Sequence, residues 1–130
     1  MAWVNLGLRS GALPELDYGV HQKLIDAVVE LVRAAAGFSV SAISDVSDGG
    51  LALCLLEMAR TSAMGFELDG VGDDPVVELF SESPSRVVVA SSEPDRVIGH
   101  FAKAGLPARV IGRVNGSNVA SFGGGSTVAL

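Results

Sequence analysis

The chain has 130 residues, 48% hydrophobic and 18% charged, with a formal net charge of -6, so it is long enough for one domain with a real core and too apolar to be disordered. Nine Lys and Arg, scattered against fifteen Asp and Glu, make no basic stripe and exclude nucleic acid as a partner. No apolar run approaches the ~20 residues of a membrane span and the N-terminus lacks a signal-peptide pattern, while the lone Cys54 can make neither an internal disulfide nor a cysteine metal cage; a cytoplasmic protein with no membrane partner is expected.

The segment Trp3 to Leu8 is short and apolar, an edge strand or a leader from a larger chain. It starts without a capped element, which suggests a piece of something longer. Pro14 marks a loop, and Asp17 is placed to cap a helix over 18–36. There Leu24, Ile25, Val28, Val29, Val32, Ala35 and Ala36 recur at helical spacing, and Gly37 supplies a stop. Phe38 to Val46 reads as a buried strand. A Gly-rich turn follows, and then a helix over 51–62, apolar on nearly every side and so buried all round. Phe66 to Leu68 reads as a short strand and Gly70 to Pro75 as a polar turn. Val76 to Phe80 and Arg86 to Ala90 read as two further strands, with Ser81 to Ser85 between them.

Ser92 can cap a third helix, with Pro94 early in it and Asp95 three residues after the cap; Gly105 and Pro107 end it. Ala108 to Val114 reads as a strand, and Asn115-Gly116 as a hairpin turn into Val119 to Phe122. Residues 123–130 read as a flexible tail. The expected fold is α/β (α+β): one domain over 1–130, helices packed on a mixed sheet.

The sharpest local feature is Asp45-Val46-Ser47-Asp48-Gly49-Gly50-Leu51. Two carboxylates lie three residues apart where a strand hands over to a helix. The glycines let the backbone approach a ligand, and free amides at the helix start can donate to phosphate oxygens. A carboxylate beside such a site is a hard-oxygen ligand for Mg²⁺, which is usually bound together with substrate phosphates. The plainer alternative is that Asp48 caps the helix and Gly49-Gly50 only turn the chain. Elsewhere, Glu82 is a site residue or a turn residue, and Arg86 pairs with Glu82 or with a phosphate. His21 and His100 lack ligand spacing. Cys54 lies in an apolar helix as a small core residue, and Gly123-Gly124-Gly125 has no strand-to-helix context.

The block Ser41-Ala42-Ile43-Ser44-Asp45-Val46-Ser47-Asp48-Gly49-Gly50-Leu51-Ala52, with Glu57-Met58-Ala59 after it, resembles the S-A-H-D-V-S-D-G-G-L-A…E-M-A block of phosphoribosylformylglycinamidine synthase. Leu79-Phe80-Ser81-Glu82 with Arg86 resembles that family's L-F-x-E-x-x-x-R stretch, and Ile111-Gly112-Arg113-Val114 its late I-G-x-V strand. Leu13-Pro14-Glu15-Leu16-Asp17 resembles the lead-in of its small form. The resemblance implies the C-terminal domain of the aminoimidazole ribonucleotide synthetase superfamily, with partial ferredoxin-like topology.

It also implies one wall of an ATP and Mg²⁺ site, completed by N-terminal domains of the same enzyme. Asp45 would be the metal ligand, and Ser47, Asp48, Gly49 and Gly50 would be the nucleotide-binding turn. No catalytic residue is assigned. The whole enzyme would be an ATP-dependent carbon–nitrogen ligase that converts formylglycinamide ribonucleotide to its amidine, with ammonia from a separate glutaminase subunit. Another kinase of the superfamily and a stand-alone, non-catalytic nucleotide-binding or assembly module are the alternatives. Ser44 stands where that family has His, so no imidazole role carries over.

Overall fold

A computed structural model describes residues 13–69, 72, 74–123 and 126–130; Trp3 to Leu8 lies outside them, as do Gly70, Val71, Asp73, Gly124 and Gly125. Helix α1 spans Tyr18–Arg33, and Asp17 caps it by accepting from the Val20 amide at 3.0 Å. A 3-10 turn over Ala35–Phe38 takes up residues expected to continue the helix or open the strand. Strand β1 (Val40–Asp45) leads to helix α2 (Gly50–Ser62), strand β2 (Gly65–Leu68) and helix α3 (Pro75–Phe80). Strand β3 (Val87–Ser91), helix α4 (Pro94–Lys103) and strands β4 (Gly112–Asn115), β5 (Val119–Ser121) and β6 (Thr127–Ala129) complete the order.

The strands form two sheets. β1 and β3 pair antiparallel as a ribbon, and the second sheet runs β4-β2-β5-β6. The ribbon carries two layers of core. On one side Ala27 and Leu31 of α1 and Val97 and Phe101 of α4 pack with Val40, Ile43, Val87 and Val89. On the other side Val88 joins the cluster built from Leu51, Cys54, Leu55 and Ala59 of α2, Phe66 and Leu68 of β2, Leu79 of α3 and Ala120 of β5. α2 therefore lies against a sheet and a neighbouring helix at once, which is why its sequence is apolar on nearly every side. Successive β3 residues face opposite cores, as the strand period of two requires.

Five readings of the sequence are corrected. Residues 76–80 form helix α3, not a strand: Asp74 accepts from the Val76 and Val77 amides, and Pro75 stands at the first helical position. The third helix is capped at Glu93, not Ser92, with no side-chain cap bond; the Ser91 hydroxyl accepts from the Glu93 amide at 2.9 Å instead. Glu93 accepts from Ser39 Oγ and from Arg96, and these bonds, that from Ser39 first, lower its carboxyl below the usual range.

Asn115-Gly116 does not close a hairpin. The Asn115 carboxamide accepts from the Ser117 amide at 3.0 Å, and the loop carries the chain across β2. β4 then pairs antiparallel to one edge of β2 and β5 parallel to the other, with Val114 and Ala120 both beside Phe66. Strand β4 also starts at Gly112, later than the expected Ala108. Finally, Thr127–Ala129, expected in a flexible tail, is strand β6, antiparallel to β5.

Candidate functional site

The turn between β1 and α2 is held from three sides. β1 delivers Asp45 at its last position, opposite Val87. The Val46 amide extends the ladder by one bond to the Arg86 carbonyl at 3.0 Å, and the buried Val46 side chain anchors the turn in the core. Ser47 and Asp48 are exposed. Gly49 and Gly50 then take left-handed φ values of 80° and 67°, conformations that favour glycine. A Cβ on Gly50 would stand 2.7 Å from the Leu79 carbonyl oxygen and 2.9 Å from Phe80 Cα, so only glycine lets the start of α2 lie against the end of α3.

The amides expected to be open are engaged at both glycines. The Gly50 amide donates to the Ser47 carbonyl and the Gly49 amide to Glu82 Oε1, both at 2.9 Å. Asp48 does not cap the helix: the cap is Gly49, which makes no side-chain cap bond of its own. Glu82, which the sequence left between two roles, thus serves the turn directly. The signal that could have found it is the L-F-x-E stretch taken together with a donor-rich helix start. Asp45, Asp48 and Glu82 ring the same turn, and among the described residues none of the three is in an ion pair.

Arg86 pairs with neither Glu82 nor any other carboxylate among the described residues. Its guanidinium donates to the Ser81 and Glu78 carbonyls, at 3.1 and 3.3 Å, and so covers the end of α3. Cys54 is buried under the turn; burial, above all, pushes its thiol up, against a hydrogen bond with Ser44, so it remains a protonated core residue. His21 Nδ1 shares a hydrogen bond of 2.9 Å with Ser85 Oγ. His100 Nε2 donates to the Ala27 carbonyl at 2.8 Å. Both histidines tie elements together.

Among the described residues no three His, Cys, Asp or Glu side chains cluster to hold a metal ion. Asp45 is an exposed carboxylate at the rim, which suits a cation that takes one or two carboxylates and fills its remaining positions from phosphates and water.

This α/β domain, with a glycine turn between its first strand and a buried helix, matches the profile of the family described as AIR synthase related protein, C-terminal domain, over residues 5–123; the chain belongs to that family. It is similar to the phosphoribosylformylglycinamidine synthase subunit PurL of Methylocella silvestris, 40% identical over 115 residues that take in 85% of this chain and 15% of that protein. The PurL subunit of Rhodospirillum rubrum is 38% identical over 129 residues, 96% of this chain and 17% of the relative. The chain thus spans only 15–17% of the length of these relatives.

Two solved structures share the fold. T. maritima PurL complexed with FGAR has a TM-score of 0.73 at 22% identity, covering 88% of this chain and 20% of that one. T. maritima PurL complexed with ATP has a TM-score of 0.71 at 24% identity, covering 86% and 20%.

Proposed function

We propose that this chain is the C-terminal domain of a phosphoribosylformylglycinamidine synthase, contributing one wall of a Mg²⁺–ATP site in an ATP-dependent ligase of purine biosynthesis. The observation that carries the reading is the relationship to PurL subunits at 38–40% identity along 85–96% of the chain. The complex of T. maritima PurL with ATP supports a nucleotide as the ligand, and the structure of PurLQS from Thermotoga maritima supports assembly with further subunits; this reading expects a separate glutaminase subunit as one of them.

In this reading Asp45 is the carboxylate offered to the metal, and Ser47, Asp48, Gly49 and Gly50 form the turn beside the phosphates. With the amides of Gly49 and Gly50 engaged, the exposed carboxylates of Asp45 and Asp48 would hold the cation that accompanies the nucleotide. The metal neutralises phosphate charge when bound. The protein part of the task is to hold Asp45 at a fixed height on β1, with other domains of the same enzyme supplying the facing wall. The enzyme would act in the cytoplasm on formylglycinamide ribonucleotide.

A chimera tests the assignment. The matching segment of Methylocella silvestris PurL is replaced by this chain, and ATP-dependent amidine formation is measured with ammonia as nitrogen source. Turnover by the chimera is expected; a folded, ATP-binding chimera without turnover counts against it. Asp45→Asn in the same chimera is expected to weaken Mg²⁺–ATP binding by calorimetry roughly tenfold or more, the loss of one charged ligand contact. Because Asp45 is exposed, the substitution should leave stability within about 0.5 kcal/mol.

A further inference from the structure

We infer that Glu82 is a positioning residue: its carboxylate clasps the Gly49 amide from 33 residues away and fixes the conformation of the Asp45–Gly50 turn. The need for such a clasp follows from the turn. Gly49 and Gly50 are both left-handed and carry no side chain that could hold them there. The helix cap falls on Gly49, which brings no side-chain acceptor, and the exposed Asp48 makes no cap bond. The turn itself offers no side-chain acceptor for this N–H, and among the described residues the side chain that meets it is Glu82, at 2.9 Å. A carboxylate there also meets the positive end of the α2 dipole.

Glu82 is itself held. The Ser81 amide closes α3 onto the Val77 carbonyl at 2.9 Å, and the extended Ser81 backbone (φ -69°, ψ 133°) turns the chain away from the helix. Arg86 grips the Ser81 and Glu78 carbonyls, and the hydroxyls of Ser81 and Ser83, on either side of Glu82, share a hydrogen bond of 2.6 Å. The contact of Gly50 with Leu79 and Phe80 brings this segment against the turn. The clasp therefore links two segments that sequence separates, and sets where Asp45, Ser47 and Asp48 stand relative to each other. Its existence rests on the structure alone; its effect on nucleotide affinity rests on the Mg²⁺–ATP reading above.

The test has two readouts. In the 130-residue chain, amide hydrogen exchange at Gly49 is followed by NMR in the wild type, Glu82→Ala and Glu82→Gln. Alanine should speed exchange between about twofold and tenfold, the factor one net hydrogen bond is worth. Glutamine, which keeps a carbonyl acceptor, should restore protection. Equal exchange in wild type and Glu82→Ala overturns the clasp.

In the PurL chimera, Mg²⁺–ATP affinity by calorimetry should fall by a similar factor in Glu82→Ala and return in Glu82→Gln, with both variants melting as the parent does. Unchanged affinity in Glu82→Ala overturns the positioning role. A parent chimera that binds no Mg²⁺–ATP, while Gly49 exchange still depends on residue 82, overturns the nucleotide reading and the positioning role, and leaves Glu82 a structural clasp.

Discussion

Gly50 shows how little freedom a single position can have. Its φ of 67° favours a residue without a Cβ, and the space a Cβ would need is filled by the backbone of Leu79 and Phe80, which cannot rotate away as a side chain could. Gly50→Val adds a branched side chain to both problems. It should cost about 2–5 kcal/mol by urea denaturation, the sum of backbone strain and overpacking, and a midpoint equal to the wild type's would refute that account. The neighbouring Gly49 is also constrained: a Cβ there would stand 2.7 Å from Leu53 Cδ2 and 2.8 Å from Leu53 Cβ, and although the tip of that side chain can rotate, its Cβ moves only with the backbone of α2. At Gly49 the left-handed backbone angle and the approach of Leu53 Cβ therefore both favour glycine.

α3 shows which parts of the fold the sequence made legible. Val76 and Val77 are β-branched and suit a strand, but the preceding Asp74-Pro75 is a helix start, and the cap outweighs a propensity of a few tenths of a kcal/mol per residue. That signal was present and unread. α1, α2 and α4 were legible because apolar spacing is a local property, and Asp17 and Pro94 mark their starts. The pairing of β2 with β4 and β5 was not legible: nothing local in Asn115-Gly116 says whether the chain folds back along β4 or crosses to the far edge of β2. In the site, the Gly-rich turn could be read directly, whereas Glu82 joins it only through the fold.

The far end of α3 depends on Arg86, whose guanidinium serves two part-buried carbonyls, of Glu78 and Ser81. Arg86→Met keeps most of the stem and loses both donors. A loss of about 1.5–3 kcal/mol, the value of hydrogen bonds to a charged group, is expected in denaturation, with faster amide exchange at Ser81 as the local sign; protection at Ser81 equal to the wild type's would contradict it.

At the scale of the molecule, the two cores share one ribbon. Val87 and Val89 point into the core under α1 and α4, and Val88 packs against the one around α2. Neither core is complete without β3, so the domain should unfold in one transition. Leu31, fully buried in the first core, offers the test: Leu31→Ala should lower stability by about 3–5 kcal/mol and shift a fluorescence or circular dichroism transition and a probe at Cys54, in the second core, by the same amount. Two separated midpoints would mean that the ribbon does not couple the cores.

The central place of β2 sets a schedule for the ribosome. Phe66 waits for Val114 on one edge and Ala120 on the other, so both edges of β2 stay unpaired until some fifty further residues have been made. Pairing across such distances is slow to form, and an unpaired apolar strand recruits other chains. A chain ending at Asn115 would have β4 in place, while the slot that Ala120 fills, at 0% exposure, would still be open. The turn after β4 and the two short strands β5 and β6 thus decide whether the emerging domain becomes a protein or a seed for aggregation.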